Sequence, residues 1–230
     1  MITLRPSKER GHFNHGWLET YHTFSFADYY DPKHTHFRKL RVINEDTVAA
    51  GQGFGMHSHN DMEIITYILS GKIEHQDSIG NKEVIKPGEI QRMTAGSGVT
   101  HSEYNPSVTE PLHLLQIWIM PDEKGLPPGY EQKKIEDVKN KFILIASPSP
   151  DKNSVKIHHD AKIYVCKLEK DKKAELKLEN GRYAWVQATR GGVLMNGEIL
   201  RAGDGAAVSG ETRLDFTANQ DSEILLFDLS

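Results

Sequence analysis

Between residues 41 and 120 the chain is a succession of short apolar runs, each closed by turn-forming residues. Ile64 to Leu69 ends at Ser70-Gly71, Lys72 to His75 continues to a turn across Asp77 to Asn81, and Val84 to Lys86 meets Pro87-Gly88. Ile90 to Thr94 comes next, Gly96-Ser97-Gly98 turns the chain before His101, and Leu112 to Ile119 closes at Met120-Pro121. Strands this short and this closely spaced point to a sandwich or barrel.

Size and charge narrow the reading. With 230 residues there is room for one large β domain or two small ones, at about 150 residues per domain. A formal net charge of -4 gives no general attraction to phosphate backbones or anionic membranes, so direct nucleic-acid binding is not expected. Cys166 is the only cysteine, which rules out an internal disulfide and fits a reducing compartment. Met1 to Arg10 has no apolar signal core, and no apolar run approaches the roughly 20 residues of a spanning helix. The expected address is the cytoplasm, without a membrane.

Residues 121 to 140 change character, with Pro121, Gly125 and Pro127-Pro128-Gly129 followed by the charged stretch Glu131 to Asn140. We expect a connection there carrying one short helix, and hence two domains, 1–135 and 136–230. A weak internal repeat supports the division. Ile64 to Leu69, Gly71, the Gly80-Asn81 hairpin and Pro87-Gly88-Glu89 are matched by Tyr183 to Ala188, Gly191-Gly192, the Asn196-Gly197 hairpin and Ala202-Gly203-Asp204. Superposing Gly88 on Gly203 sets Phe216 opposite His101 and Ala218 opposite Glu103. The second copy therefore lacks whatever those two residues do in the first.

Their pattern suggests what that is. The chain holds 12 histidines, and two short stretches alternate a donor with a spacer: His57-Ser58-His59 and His101-Ser102-Glu103. Side chains two apart on a strand share a face, so each pair can aim at one point, and together they make a mononuclear metal site. His-x-His alone is weak, because a shuffled chain of this composition yields about one such pair in every second sequence. His34 and His36 are a second instance, without a matching carboxylate, and read as a solvated loop. The pair at His57 differs because glycines 51, 53 and 55 precede it, Glu63 opens the next apolar run, and His101 and Glu103 answer it.

The stretch Gly51, His57, His59, Glu63, Gly71, Pro87-Gly88, Gly98, His101, Asn105 resembles the two sequence motifs of the cupin superfamily. The segments His15-Gly16-Trp17, His22-Thr23-Phe24-Ser25-Phe26-Ala27, Tyr29-Tyr30-Asp31-Pro32, Asp61-Met62-Glu63, Glu74-His75-Gln76-Asp77-Ser78 and Thr94-Ala95-Gly96 are similar to pirin-type bicupins. The resemblance covers most of residues 1 to 120 and the remainder more faintly. It implies an all-β bicupin of two stacked antiparallel barrels of the double-stranded β-helix or jelly-roll type, with one metal in the N-terminal barrel. General cupins take their carboxylate ligand from the first motif, here Glu63, whereas pirin-like chains take it from the second, here Glu103. Strand phase accepts both. The resemblance selects Glu103, leaving Glu63 beside the site or in its pocket, where it could orient an imidazole. The spacing from Glu63 to Gly71 is one residue longer than the usual first motif, which predicts a local bulge.

The implied metal set is His57, His59, His101 and Glu103, with Fe(II) the first expectation and Mn(II), Ni(II), Cu(II) and Zn(II) all compatible with the donors. The implied activity is cleavage of flavonols with O2, as in quercetin 2,3-dioxygenase. There the substrate's 3-hydroxyl would meet the metal, Glu103 would take its proton as the catalytic base, and the central ring would open with loss of carbon monoxide. Two other readings stand beside it: a metal-dependent regulatory module that acts through a protein partner, and another metal-assisted reaction on an enediol-like small molecule. His75 is expected to be a hydrogen-bonded hairpin residue, His15 and His22 to pack among aromatics, and His158 and His159 to lie at a surface or interface.

Overall fold

The computed structural model describes all residues 1–230 and is built almost wholly of antiparallel strands, with no α-helix and a single 3-10 turn at Ser7–Glu9. Two compact units divide the chain. One comprises Gly11–Ile135 with Val155–His159, and the other Met1–Arg10, Glu136–Ser154 and Asp160–Ser230. Two short segments thus cross the division expected at 135/136. Ile2–Arg5 joins the second unit because it pairs along the edge strand Gly205–Ser209, satisfying backbone groups that an exposed edge would leave open.

In the first unit a large sheet runs in the order Gly129–Lys134, Glu89–Thr94, Glu63–Ser70, Leu112–Ile119, Leu40–Val48, Leu18–His22, Gly11–Asn14. A smaller sheet runs Gly53–His59, Val99–Tyr104, Ile73–Asp77, Lys82–Ile85. No ladder closes the two into a continuous barrel, so the unit is a two-sheet jelly-roll sandwich. Ile73 and Ile85 of the small sheet pack on Val48, Ile68, Leu112 and Leu114 of the large one. Each such side chain, fully buried, contributes about 1.5–3 kcal/mol.

The second unit repeats this plan, as the internal repeat implied. Its small sheet, Lys173–Lys177, Arg213–Ala218, Gly192–Met195, Glu198–Arg201, has the same strand order as the small sheet of the first unit. Phe216 and Ala218 are core residues there, so the positions that match His101 and Glu103 are spent on packing. The Asn196-Gly197 hairpin forms with both residues at positive φ, 45° and 94°, as a tight two-residue turn requires.

The helix expected within residues 131 to 140 is absent. Gly129–Lys134 is instead a strand paired with Glu89–Thr94. Pro127-Pro128 delivers the chain in extended form, and the open edge of Glu89–Thr94 takes up its backbone groups, so pairing outweighs the weak helical tendency of a charged stretch. The bulge foreseen between Glu63 and Gly71 is present: Ser70 and Ile68 pair with the consecutive residues His113 and Leu114, which leaves Leu69 as the extra residue.

The turn before His101 depends on Gly96, whose φ is +49°. A Cβ there would run into the carbonyl oxygen of Leu126, the same oxygen that accepts a 2.8 Å hydrogen bond from Ser97 N. Gly96→Ala should lower stability by more than about 2 kcal/mol, read as a shift in denaturant midpoint at unchanged slope.

Candidate metal centre

The antiparallel pairing of Gly53–His59 with Val99–Tyr104 places His57 directly opposite His101. Alternation then carries His59 to the same face, and the three rings stand with centroids 4.4 to 4.9 Å apart. One ligand nitrogen from each lies within 4.8 Å of the other two. The register slips between His101 and Glu103, where Gly55 and Met56 on one strand face Ser102 on the other, a bulge in the strand Gly53–His59. The structure therefore brings three of the four expected ligands into one cluster. Glu103 stands in an adjoining cluster, with His75 and His101.

The donor set fits a divalent cation, and the hydrogen bonds show which atoms are free for it. His57 Nδ1–H donates to the Gly55 carbonyl at 2.8 Å, so its Nε2 carries the lone pair. At His101 two further residues, Asp77 and His75, set the tautomer. Asp77 accepts hydrogen bonds from Ile79 N, Asn81 N and Asn81 Nδ2, which marks it as an ionised acceptor. Burial alone would raise its carboxyl, but the bonds from His75 and Asn81 outweigh that and hold it below the usual range. His75 Nε2–H then donates to Asp77 Oδ2 at 3.0 Å, leaving His75 Nδ1 bare. His101 Nδ1 lies 3.4 Å from that bare nitrogen and supplies the proton between them. What remains is His101 Nε2, deeply buried and without a hydrogen-bond partner. An acceptor nitrogen in that state calls for a cation.

Electrostatics keeps His101 and His59 neutral. Burial, then the neighbouring histidines, lowers His101 to about 2, and burial with His57 beside it lowers His59 to about 4. At neutral pH no proton has to leave these two rings before a metal binds. Because Asp77 and His75 set the tautomer of His101, Asp77→Asn should weaken metal affinity by about 10–100-fold, measured by chelator competition with the unfolding midpoint as control.

His57 and His59 of the trio line a cavity of about 230 Å³. Phe26, Phe54, Ile64 and Trp118 form apolar walls, and Asn44, Asp46, Glu103 and Gln116 form a polar one. Trp118 packs edge-on against both His59 and Phe26, at 5.0 and 5.3 Å. Glu103 is buried. Gln116 Nε2 donates to its Oε2 at 3.0 Å, and the Thr66 hydroxyl lies 3.4 Å from its Oε1. Burial pushes its carboxyl up to about 7.

Glu63 lies elsewhere. Ile64 lines the cavity and Thr66 reaches Glu103, so Glu63, one residue out of phase, faces the other side of the strand. There its carboxylate accepts from Thr94 at 3.1 Å, with Arg92 Nε at 4.0 Å and His158 Nδ1 at 3.1 Å. The imidazole it orients is thus that of His158, not of a ligand. Counting residues from His59 fails because the chain turns between them at Asp61, with φ +48°. His158 and His159 are structural too: the second is buried, with its Nδ1 2.7 Å from Asp122. His75 is hydrogen-bonded in its hairpin as expected, and it also contacts His101, which nothing in the local sequence signals. His22 packs among Phe13 and Phe26, at 5.4 and 5.3 Å, while His34 bonds Asp31 within its own loop. Sequence reasoning also missed Asn44, Asp46, Gln116, Phe54 and Trp118. Their only signal is alternation along strands whose neighbours the sequence does not name.

Known proteins with this arrangement give it a family. A family model described as Pirin matches residues 3–119, and one described as Quercetinase C-terminal cupin domain matches residues 144–229. A protein of Escherichia coli K12 named Quercetin 2,3-dioxygenase is 52% identical over 229 residues, covering 100% of this chain and 99% of its own. A Pirin-like protein of Caulobacter vibrioides is 39% identical over 231 residues, with 99% of each chain covered. Among solved structures, the bacterial pirin YhhW from Escherichia coli in complex with nickel(II) superposes with a TM-score of 0.95 at 51% identity, covering 100% of this chain and 99% of that one. With both halves matched and relatives aligned end to end, this chain belongs to the pirin family of two-domain cupins.

Proposed function

We propose that this protein is a mononuclear metal-dependent dioxygenase that cleaves flavonols, in the manner of quercetin 2,3-dioxygenase. The observation that carries the reading is a trio of imidazoles, with His101 Nε2 unpartnered, of which His57 and His59 line an aromatic-walled cavity. The names of the relatives, quercetin 2,3-dioxygenase among them, point the same way.

In this reading His57, His59 and His101 hold the ion and Glu103 joins them from the cavity wall, with Fe(II) as the working metal. A divalent ion held there would supply the Lewis acidity that lowers the pKa of a substrate hydroxyl, and the reactivity toward O2. The chain's own residues do the rest. Phe26, Phe54 and Trp118 take a flat ring system between apolar faces and exclude water around it. Glu103, whose carboxylate lines the same cavity, is placed to accept the hydroxyl proton. Gln116 and Thr66 keep its oxygens in place as the charge changes.

The test is O2 consumption. Protein purified anaerobically and loaded separately with Fe(II), Mn(II), Ni(II) and Cu(II) should take up O2 with quercetin for at least one metal, releasing carbon monoxide in equal amount. Silence with every metal across flavonols and enediols would remove the dioxygenase assignment.

A further inference from the structure

The polar wall of the cavity contains more acceptors than one proton transfer needs. Asn44 and Asp46 sit two apart on the strand Leu40–Val48, so both side chains face the cavity they line. They are 4% and 5% exposed. Asp46 has the Thr20 hydroxyl as one partner, yet its Oδ1 has none, and Oδ1 of Asn44 has none either. Pairing sets Asn44 opposite Gln116, whose amide holds Glu103, and the charge of Asp46 is felt at Glu103. Three neighbouring side chains thus present oxygens to one volume, while the facing walls are aromatic.

Buried polar atoms are nearly always partnered, and two open acceptors on one face of a ligand-sized cavity require donors from whatever fills it. The complementary ligand is flat, aromatic and edged with hydroxyl protons. We infer that Asn44 and Asp46 are specificity residues that select polyhydroxylated flavonols over flavonols bearing the 3-hydroxyl alone. The inference rests on the flavonol reading of the cavity and adds to it the atoms that read the substrate's further hydroxyls. A site built to bond hydroxyls discriminates against the analogue lacking them, because its own groups are then buried without partners.

Equilibrium binding tests this without turnover. The nickel(II)-loaded full-length protein is titrated anaerobically with quercetin, 3,5,7-trihydroxyflavone and 3-hydroxyflavone, following quenching of tryptophan emission. Quercetin should bind about 10–100-fold more tightly than 3-hydroxyflavone to the unaltered protein. Asp46→Leu and Asn44→Leu should each shrink that ratio to within about threefold by weakening quercetin while leaving 3-hydroxyflavone unchanged. Asp46→Asn, which keeps an acceptor, should preserve part of it. Should Asp46→Leu not fold, Asn44→Leu and the three ligands on the unaltered protein decide the matter. Equal affinity for quercetin and 3-hydroxyflavone, or a ratio that survives the leucine changes, overturns the inference. So does a second equivalent of nickel lost in Asp46→Asn, which would make the acceptors a cation site. Absent O2 uptake with the binding ratio intact would sink the dioxygenase reading alone, and uptake with the ratio lost would sink only the specificity pair.

Discussion

Replacing His101 by alanine is expected to leave a folded protein that no longer retains a divalent ion and no longer turns over. The side chain sits where both clusters meet, beside His57 and His59 on one side and His75 on the other. Removing it takes away the most buried lone pair of the trio and strands the bare Nδ1 of His75. Changes outside the ligand set cost about 10–100-fold in metal affinity, so loss of a ligand should exceed about 100-fold, with O2 uptake falling to background. Metal analysis after gel filtration measures the first and an oxygen electrode the second. His57→Ala should do the same. Full metal stoichiometry in either variant would mean that the ligands have been misassigned.

Glu103→Gln should separate proton transfer from metal retention. The amide has nearly the shape of the acid, can still pair with Gln116 and Thr66, and leaves three imidazoles untouched. Loss of a positioned base lowers kcat by about 10²–10⁴-fold. Metal content should fall less than in His101→Ala, since the amide oxygen keeps a neutral donor where the carboxylate stood and the three imidazoles remain. A kcat within about threefold of the unaltered protein would exclude Glu103 as the base and turn attention to Asp46, raised by burial to about 6 on the same wall.

Much of this site is open to inspection in the sequence because its signals are short-range. The spacing His57-x-His59 and His101-x-Glu103 needs only the strand period to become a statement about faces. Glycine at 96 and 98 marks the turn that delivers His101, since positive φ excludes most other residues there. The doubled plan is likewise legible from turn residues at matching intervals, and Phe216 in place of His101 shows that one half lacks the imidazole cluster. Glu63 marks the limit of local spacing: it lies an even number of residues from His57 and His59, but a turn at Asp61 resets the face. The helix expected near residue 131 fails for a related reason. Local charge density is visible in the string, whereas the open edge of Glu89–Thr94 that captures Gly129–Lys134 is not.

The sequence by itself determined the all-β class, the two-copy plan, and the identity of the three imidazoles with their nearby carboxylate. All of these follow from periods of two residues and from turns a few residues long. Only the tertiary structure decided that Asp77 and His75 set the tautomer of His101, that Glu63 serves His158, and that Asn44, Asp46 and Trp118 share one cavity with His57 and His59. Those groups are far apart along the chain, and their meeting depends on strand order and register across two sheets, which the packing of the whole core selects and no local spacing encodes.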